Sequence, residues 1–354
     1  LESFGRGEHD RSFTFAGYQR AITARTPEEV GSAILEAEAV TKQGLHAAGF
    51  VSYEAASGLD SALCVREPVS DVPLVWFGVF DTREVIEPEA QADIPFDGHL
   101  EWAAALGHEE YGRDISAIRD LIQAGDSYQV NHTFQMSTEF DADAWVYYRA
   151  LCRSQKADYC AYIDTGRHHI LSASPELFFR LQDGVLKTRP MKGTCRRGRW
   201  PDEDQALATQ LRDSEKNRAE NLMIVDLLRN DLGRVSETGS VKVSDLWKVE
   251  PYETLFQMTS TVESRIRHDV GLLDLFTALF PCGSVTGAPK IRTMEIIADV
   301  ESQARGVYTG AVGYVSPGLD ALFNVAIRTV TVDSNQQRAH FGVGGGITWD
   351  STSE

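Results

Sequence analysis

The chain has 354 residues, enough to bury a large core in one large fold or in two closely joined halves. Asp and Glu outnumber Lys and Arg by 52 to 34, and the formal net charge of −18 argues against a nucleic-acid partner, because phosphate binding needs clustered basic residues. Hydrophobic residues make up 42% of the chain, yet no apolar run approaches the roughly 20 residues that span a bilayer, and no signal peptide opens the sequence. We therefore expect a cytoplasmic enzyme with no membrane partner.

The first hundred residues show the patterns of strands and short helices. Residues 50–54 and 74–80 are the clearest β runs, and residues 85–98, rich in Glu, Asp and Pro, predict a connection. Apolar residues then recur at helical spacing over 109–124, and Gly125 and Asp126 end this helix before a further strand.

The rest of the chain combines strands with two longer helices. Helices are predicted over residues 215–232 and 288–303, the second with Pro289 in its first turn. The strand-like stretches are residues 160–163, 169–173, 177–181, 310–315, 323–332 and 339–348. Because strands and helices do not alternate regularly, the pattern favours an α+β fold over a doubly wound sheet.

A lysine and a glutamate carry the strongest chemical signal. Lys192 lies in the run RPMKGT, and Glu176 precedes it in the run SPEL. A lysine among small and turn-forming residues, close to a carboxylate in an apolar setting, provides an amine nucleophile and a proton carrier. An enzyme that forms a Schiff base with a carbonyl substrate would use the same lysine.

A carboxylate on the second half of the chain is the candidate metal ligand. Glu220 falls on the helical stripe of Ile224 and Leu227, which should face the core, where an unpaired carboxylate is costly. Either it pairs with Arg218 or Arg229, or it binds a cation, which would be Mg²⁺ because only oxygen ligands are nearby. Three further polar residues of this helix are predicted to cap it or to face solvent, namely Asp226, Asn230 and Asp231.

Three features predict the binding of an anion. The glycines of the run GVGGGI, residues 342–347, weaken a strand, so that a ligand or another backbone can approach closely. The turn over residues 283–290 offers free amide groups at a helix start. Arg328 is a lone guanidinium in a predicted apolar strand and calls for an anionic partner. With the nucleophile and the acid/base carboxylate, these donors suit a small dicarboxylate.

From residue 125 onward these motifs follow in one order, and the sequence resembles the chorismate-utilising enzymes, the family of anthranilate, aminodeoxychorismate, isochorismate and salicylate synthases. The matching stretches are residues 125–131, 174–178, 190–194, 219–231, 283–290, 308–314, 327–329 and 344–347. The resemblance implies an α+β fold like that of anthranilate synthase component I, with large mixed β-sheet layers arranged as a sandwich and helices packed outside. It also implies an N-terminal subdomain over residues 1–100, with a degenerate tryptophan site, and a chorismate-binding catalytic region over residues 101–354 that lacks its C-terminal helix.

Two positions indicate a branch of this family. Gln129 stands where isochorismate and salicylate synthases carry a lysine that activates water, and an amide cannot act as a base near neutral pH. Lys192 stands where anthranilate synthases have alanine and aminodeoxychorismate synthases have lysine. The chain therefore resembles component I of the aminodeoxychorismate synthases of para-aminobenzoate and folate biosynthesis. Anthranilate synthase component I is the alternative.

The resemblance also implies a role for each site residue. Lys192 attacks ring carbon 2 of chorismate while Glu176 protonates the departing 4-hydroxyl, and ammonia then enters at carbon 4. Glu220 holds Mg²⁺, together with family carboxylates that lie beyond the match at Asp350. The residues at the substrate are Gly193, Thr194, Tyr308, Arg328, Gly344 and Gly346, with Gln129. The implied partners are chorismate, a glutaminase subunit that supplies ammonia, and a downstream aminodeoxychorismate lyase, separate or fused.

Two departures from the family pattern qualify this reading. Gln257 replaces a histidine that is common in the family, and we expect the substitution to be tolerated because releasing pyruvate is left to the later lyase. Residues 1–3 match a tryptophan-site motif, but residues 157–159 lack the prolines of its second half, so feedback by tryptophan is not predicted.

Overall fold

The computed structural model describes residues 1–4, 12–68, 71–86, 96 and 98–353. Strands and helices alternate irregularly within these residues. The strands are β1 (Ser12–Ala24), β2 (His46–Val51), β3 (Val75–Ile86), β4 (Ala103–Ala104), β5 (Gln129–Glu139), β6 (Tyr159–Asp164), β7 (His168–Ser174), β8 (Leu177–Gln182), β9 (Val185–Arg189), β10 (Met191–Arg196), β11 (Lys242–Pro251), β12 (Leu255–Arg265), β13 (Gly287–Ala288), β14 (Ala311–Ser316), β15 (Asp320–Val325), β16 (Thr329–Asp333) and β17 (Arg338–Ile347). The helices are α1 (Pro27–Thr41), α2 (Ala56–Leu59), α3 (His108–Gln123), α4 (Ala144–Gln155), α5 (Pro201–Asp213), α6 (Glu215–Gly233), α7 (Leu272–Leu279) and α8 (Lys290–Val300).

The strands form two large sheets, and every pairing in the described part of the chain is antiparallel. The large sheets that the resemblance implies are present, but the expectation that they are mixed is wrong. The large sheet has ten strands in the order β1-β3-β2-β14-β15-β8-β9-β12-β10, with β11 paired to β12. The small sheet has seven strands in the order β13-β5-β17-β16-β7-β6, with β4 paired to β5. Strands from the first hundred residues share the large sheet with later strands, since β2 pairs with β14 from Ala47 to Val51.

A continuous apolar core lies on one side of the large sheet, beneath α1 and α7. Helix α1 begins with a capping box formed by Thr26 and Glu29, with Pro27 in its first turn, and buries Val30 and Ile34. Phe179, Phe276 and Phe323 meet edge to face or tilted in this core, with ring centroids 5.1 to 5.6 Å apart. Such packing keeps the sheet rigid where it carries functional residues.

Two of the places where the chain passes from one sheet to the other are neighbours in the fold. It passes from β7 to β8 through Pro175 and Glu176, and from β15 to β16 through residues 326–328. The two crossovers are hydrogen-bonded, because the amide of Val325 donates to the carbonyl of Glu176 at 3.0 Å and the amide of Ala173 donates to the carbonyl of Arg328 at 3.0 Å. Two of the predicted site residues are therefore held at the junction of the sheets.

Most predicted elements are confirmed, with three corrections. The strand predicted over residues 50–54 ends at Val51, because Tyr53–Ala55 form a 3-10 helix. Helices α3 and α6 match the predicted ranges closely. The helix predicted over 288–303 is shorter, because Gly287–Ala288 pairs with β5 and the helix begins only at Lys290. The strand predicted over 323–332 is two strands in different sheets, broken at Arg328, whose φ is 51°.

The predicted connection over residues 85–98 falls mainly outside the described residues. Strand β3 continues to Ile86, and residues 87–95 and 97 are not described. Within the described residues, no helix combines the length and the apolar character needed to cross a membrane.

Candidate active site

Glu176 is a buried carboxyl at the crossover from β7 to β8. It is 3% exposed, and burial raises the pKa of its carboxyl to about 7, although Ser284 and Lys192 act to lower that pKa. Its Oε1 atom has no hydrogen-bond partner in the described part of the chain. A carboxyl with a pKa near neutrality and a free oxygen can hold a proton and deliver it to a bound molecule.

Lys192 approaches the same place from β10. The strand register shifts between Met191 and Thr194, where Gly193 has φ +98°, and a Cβ on Gly193 would lie 3.2 Å from the side chain of Asn217 in α6. The Nζ of Lys192 donates to the carbonyl of Ser284 at 3.0 Å. Burial lowers the pKa of Lys192, and the charges of Glu176 and Glu220 oppose that effect. A lowered pKa favours the neutral amine that a nucleophile requires.

The turn before α8 supports the lysine, while the anion site predicted at this helix start stays a prediction. The amide of Val285 donates to Cys282 at 3.1 Å and that of Thr286 donates to Gly283 at 3.4 Å, both within the turn. Pro289, the residue before the helix, has no amide hydrogen. What the turn presents is an acceptor, the Ser284 carbonyl, and a hydroxyl, since Ser284 Oγ lies 3.2 Å from Cys282 Sγ.

Glu220 lies at the edge of the buried stripe of α6 rather than in it. It is half-buried, while Asn221, Ile224 and Leu228 face the core. The predicted salt bridge is wrong, because the guanidinium of Arg218 lies over the Trp247 ring at 3.7 Å and that of Arg229 pairs with Asp226 at 2.9 Å. Within the described residues, Glu220 makes no hydrogen bond or ion pair.

Asp231 corrects another prediction, because it does not face solvent. It is 4% exposed, and its Oδ2 accepts a hydrogen bond from Lys290 Nζ at 2.9 Å. The same ammonium donates to the carbonyl of Leu279 at 3.1 Å. Asp231 and Lys290 therefore join α6 to the start of α8 beneath the turn that contacts Lys192.

The glycine-rich strand β17 accommodates side chains of the protein as well as backbone. A Cβ on Gly342 would lie 2.1 Å from the ring of Tyr308, and one on Gly346 would lie 2.6 Å from Nε2 of Gln129. A Cβ on Gly344 would meet the carbonyl oxygen of His132 in β5 at 2.4 Å. Glycine is needed at these three positions because two predicted substrate residues and a neighbouring strand occupy the space.

Gln129 and Tyr308 each have a polar group that the protein uses incompletely. Gln129 is 1% exposed, and neither its amide oxygen nor its amide nitrogen has a hydrogen-bond partner among the residues described. Burial raises the pKa of Tyr308 to about 12, so the phenol is a neutral donor at physiological pH. Buried polar groups without protein partners are candidates for contact with a ligand.

Arg328 and Thr194 lie at other points of the site. The guanidinium of Arg328 is half-buried and donates to the amide oxygen of Gln155 at 2.7 Å, with no carboxylate partner within the described ranges. Burial lowers the pKa of Arg328, an unfavourable effect that a bound anion would relieve. Thr194 donates to the side chain of Gln257 at 2.9 Å, so the residue at the histidine position is engaged in the site.

The described residues contain no group of three or more His, Cys, Asp or Glu side chains that could hold a metal ion. Glu220 nevertheless fits one ligand position. It is a partly buried carboxylate without a protein partner, and its charge acts on Lys192. Mg²⁺ commonly takes one or two carboxylates and completes its shell with water and substrate oxygens.

Two features of this site had no sequence prediction. One is the Ser284 carbonyl, whose position depends on the turn conformation. The other is the ion pair between Arg305 and Glu301, which lie four residues apart and are 4% exposed each. Their spacing of four residues could have indicated an ion pair in the sequence. It would not have indicated a buried one, because charged pairs at this spacing are usually exposed to solvent.

The fold and the site together are those of a known class of enzymes. Residues 4–354 match the chorismate binding enzyme family, and the chain belongs to this family. A crystal structure of anthranilate synthase component I from Streptococcus pneumoniae aligns with a TM-score of 0.84 at 27% identity, covering 100% of this chain and 90% of that one. The α+β fold expected from the resemblance is thereby confirmed.

Two curated relatives show how similar the chain is to named members of the family. The chain is 38% identical to aminodeoxychorismate synthase component 1 of Salmonella typhimurium over 297 residues, which are 83% of this chain and 65% of that protein. It is 39% identical to anthranilate synthase component 1 of Acinetobacter calcoaceticus over 254 residues, 70% of this chain and 51% of that protein. The chain thus spans between about half and two thirds of the length of these relatives.

Proposed function

We propose that this chain catalyses the conversion of chorismate and ammonia to 4-amino-4-deoxychorismate, as component I of an aminodeoxychorismate synthase. The observation that carries the proposal is the pair formed by Lys192 and Glu176. Burial lowers the pKa of the lysine and raises the pKa of the glutamate to about 7, so both groups are shifted toward their neutral forms. A neutral amine beside a protonated carboxyl is the pair that a covalent substitution with an acid-assisted leaving group needs.

The reaction proceeds in two displacements. The neutral amine of Lys192 forms a bond to ring carbon 2, both ring double bonds shift by one position, and the bond from carbon 4 to its hydroxyl breaks. Glu176 donates its proton to that hydroxyl, which leaves as water. Ammonia then bonds to carbon 4, both double bonds shift back, and the bond between carbon 2 and Lys192 breaks, which releases the neutral amine. The ammonium formed at carbon 4 returns one proton to Glu176. Dividing one difficult substitution in this way lowers each barrier.

The remaining site residues orient the two carboxylates of chorismate. Arg328 supplies a guanidinium without a carboxylate partner in the described part of the chain, and Tyr308 supplies a neutral phenol. The amides near Gly193, Gly344 and Gly346 can approach a ligand closely because no Cβ intervenes. The other two predicted contacts are Thr194 and Gln129.

Glu220 would hold Mg²⁺ in this proposal. When bound, the ion acts as a Lewis acid that binds the ring carboxylate and withdraws electron density from the ring. The charge of Glu220 itself favours the protonated form of Lys192 when no ion is bound.

The proposed partner is a glutaminase that supplies ammonia, and the proposed next enzyme is an aminodeoxychorismate lyase. The relatives named component 1 support a partner subunit, because that name denotes one part of an assembly. The cytoplasmic location stays a prediction.

Product identification tests the proposal. Purified protein with chorismate, Mg²⁺ and an ammonium salt should yield 4-amino-4-deoxychorismate by mass spectrometry, and no aromatic product should form until a lyase is added. Lys192→Ala should abolish that product. A matched control is Lys216→Ala, at an exposed lysine near the start of α6, which should leave it unchanged. Formation of the product at the normal rate by Lys192→Ala would refute the covalent route.

A second candidate function is that of anthranilate synthase component I. The relative from Acinetobacter calcoaceticus and the solved structure from Streptococcus pneumoniae carry that name. Direct release of fluorescent anthranilate from chorismate and ammonia, without an added lyase, would favour it over our proposal. A carbonyl substrate that became attached to Lys192 on borohydride reduction would point instead to Schiff-base chemistry.

A further inference from the structure

We propose that Arg305 is a positioning residue that holds together the turn that contacts the nucleophile and the segments that bear the substrate contacts. The inference rests on the proposed function, because it concerns the same site. Arg305 lies outside the elements that carry Glu176 and Lys192, and it reaches the site only through other residues.

The guanidinium of Arg305 donates to backbone carbonyls on two walls of the site. Nη1 donates to the carbonyl of Val285 at 2.8 Å, and Val285 directly follows Ser284, whose carbonyl accepts the hydrogen bond of Lys192. Nη2 donates to the carbonyl of Asn131 at 2.6 Å, two residues from Gln129 on β5. Together with the pairing of β13 and β5, one rigid planar group therefore fixes the turn that accepts the hydrogen bond of Lys192 relative to the strand that carries Gln129.

The same side chain also reaches a third segment. Nη1 lies 3.4 Å from the hydroxyl oxygen of Thr309, the residue after Tyr308, and a hydrogen bond joins them. The backbone here is constrained, since Thr309 has φ +61°. The position of the Tyr308 ring over Gly342 thus depends in part on Arg305.

Arg305 is itself held by two carboxylates. Glu301 accepts from Nε at 2.9 Å and from Nη2 at 2.6 Å, and also accepts from the amide of Thr133 at 2.8 Å. Glu54 accepts from the backbone amide of Arg305 at 2.6 Å. The guanidinium lies 4.5 Å from the centre of the Tyr53 ring. With this many partners the group has one available orientation, which is what a positioning residue needs.

The Lys variant of Arg305 is the sharpest test. Lysine keeps the charge beside Glu301, but a single ammonium cannot donate to Val285, Asn131 and Thr309 in the fork geometry of a guanidinium. We expect the kcat/KM for chorismate consumption with ammonia to fall about 10- to 100-fold, since a displacement of about 1 Å can cost that much. The pH profile of kcat should shift as well, because movement of the Ser284 carbonyl changes the surroundings of Lys192.

Arg149→Lys is the matched control. Arg149 is 9% exposed and pairs with Glu2 at 2.7 Å, so it is comparably buried, and its described contacts lie outside the site. It should lose thermal stability with kcat/KM and pH profile within about twofold of the parent chain. Equal losses of kcat/KM in the two variants, or a folded Arg305→Lys protein with an unchanged kcat/KM and pH profile, would overturn the inference.

Glu301→Gln covers the case in which Arg305→Lys does not fold. It preserves side-chain volume but replaces one acceptor of Arg305 with a donor, so the guanidinium must shift, and we expect a similar loss of kcat/KM.

If the parent chain consumes no chorismate, the proposed function fails while this inference remains testable. Calorimetric titration with chorismate should then show weaker binding for Glu301→Gln or Arg305→Lys than for Arg149→Lys, and equal affinities would refute it.

Discussion

Arg305 and Arg328 are both withdrawn from solvent, yet their surroundings differ. Arg305 contacts two backbone carbonyls, a hydroxyl and the carboxylate of Glu301, and it lies behind the site. Arg328 contacts the neutral amide of Gln155 and no carboxylate in the described part of the chain. Burial would lower the pKa of either guanidinium, but Glu301 and its neighbours raise the pKa of Arg305, whereas the pKa of Arg328 stays lowered.

This contrast distinguishes charged residues that hold the structure together from charged residues that are available to bind a ligand. A buried ion whose hydrogen-bonding capacity is filled by the protein contributes to a rigid structure. A partly buried ion with unused hydrogen-bonding capacity raises the free energy of the folded state until a ligand or water supplies the missing hydrogen bonds. Several polar groups of the site have hydrogen-bonding capacity that the described part of the protein leaves unused. They are Glu176 Oε1, both polar atoms of Gln129, the guanidinium of Arg328 and the carboxylate of Glu220.

The largest expected effect is that of Glu176→Gln. The amide keeps the volume of the side chain but cannot donate an acidic proton, so kcat should fall about 10²- to 10⁴-fold while the protein remains folded. The activity of the parent chain should also decline as the pH rises through about 7, because the glutamate then loses the proton that the leaving hydroxyl requires. Steady-state kinetics from pH 5.5 to 9 provide both measurements, and an unchanged kcat would exclude Glu176 as the acid.

Glu54→Gln tests how the stability of the protein depends on pH through a buried carboxyl in the region behind the site. Burial raises the pKa of Glu54 to about 7, against the opposing effect of the amides it accepts from. The folded state therefore binds more protons than the unfolded state, and stability falls as the pH rises from about 4.3 to about 7, by up to about 3 kcal/mol. Urea unfolding at pH 5 and pH 8 should show a smaller loss for Glu54→Gln than for the parent chain. An equal loss would mean that Glu54 is already ionised at pH 5.

Arg328→Met should weaken the binding of chorismate while changing the stability of the protein very little. The substitution removes one hydrogen bond to Gln155 and a proposed charge-assisted contact with a substrate carboxylate. The KM for chorismate should rise about 10- to 100-fold, since such a contact contributes about 1.5 to 3 kcal/mol. The thermal midpoint should change by only a few degrees. A large loss of stability with an unchanged KM would place Arg328 in the structural class beside Arg305.

Gly342→Ala should give the smallest effect of the four, and Gly345→Ala is its control. A Cβ at Gly342 meets the Tyr308 ring at 2.1 Å, whereas one at Gly345 meets no protein atom within 4 Å. Moving a packed ring costs about 1 to 3 kcal/mol, so urea unfolding should show that loss for Gly342→Ala and almost none for Gly345→Ala. Similar values for both variants would show that Tyr308 is not held against β17.

The sequence identified most of the chemistry and some of its placement. Lys192 and Glu176 could be singled out because a lysine and a carboxylate in apolar runs of small residues are uncommon outside functional sites. The solvent exposure predicted for Asp231 was wrong, because its partner Lys290 is distant in the chain and belongs to the next layer of the fold. The break at Arg328 was also missed, because the hydrophobic pattern continues unchanged from one sheet into the next.

What the sequence by itself determined was the family and the α+β class, since these depend on residue types in local order. Only the tertiary structure decided which polar groups are satisfied. Arg305 and Arg328 cannot be distinguished by local sequence, because the carbonyls of Val285 and Asn131 come from segments distant in the chain that meet only when β13 pairs with β5. The shift of Lys192 and Glu176 toward their neutral forms likewise arises from burial, which is a property of the assembled fold and of no single segment.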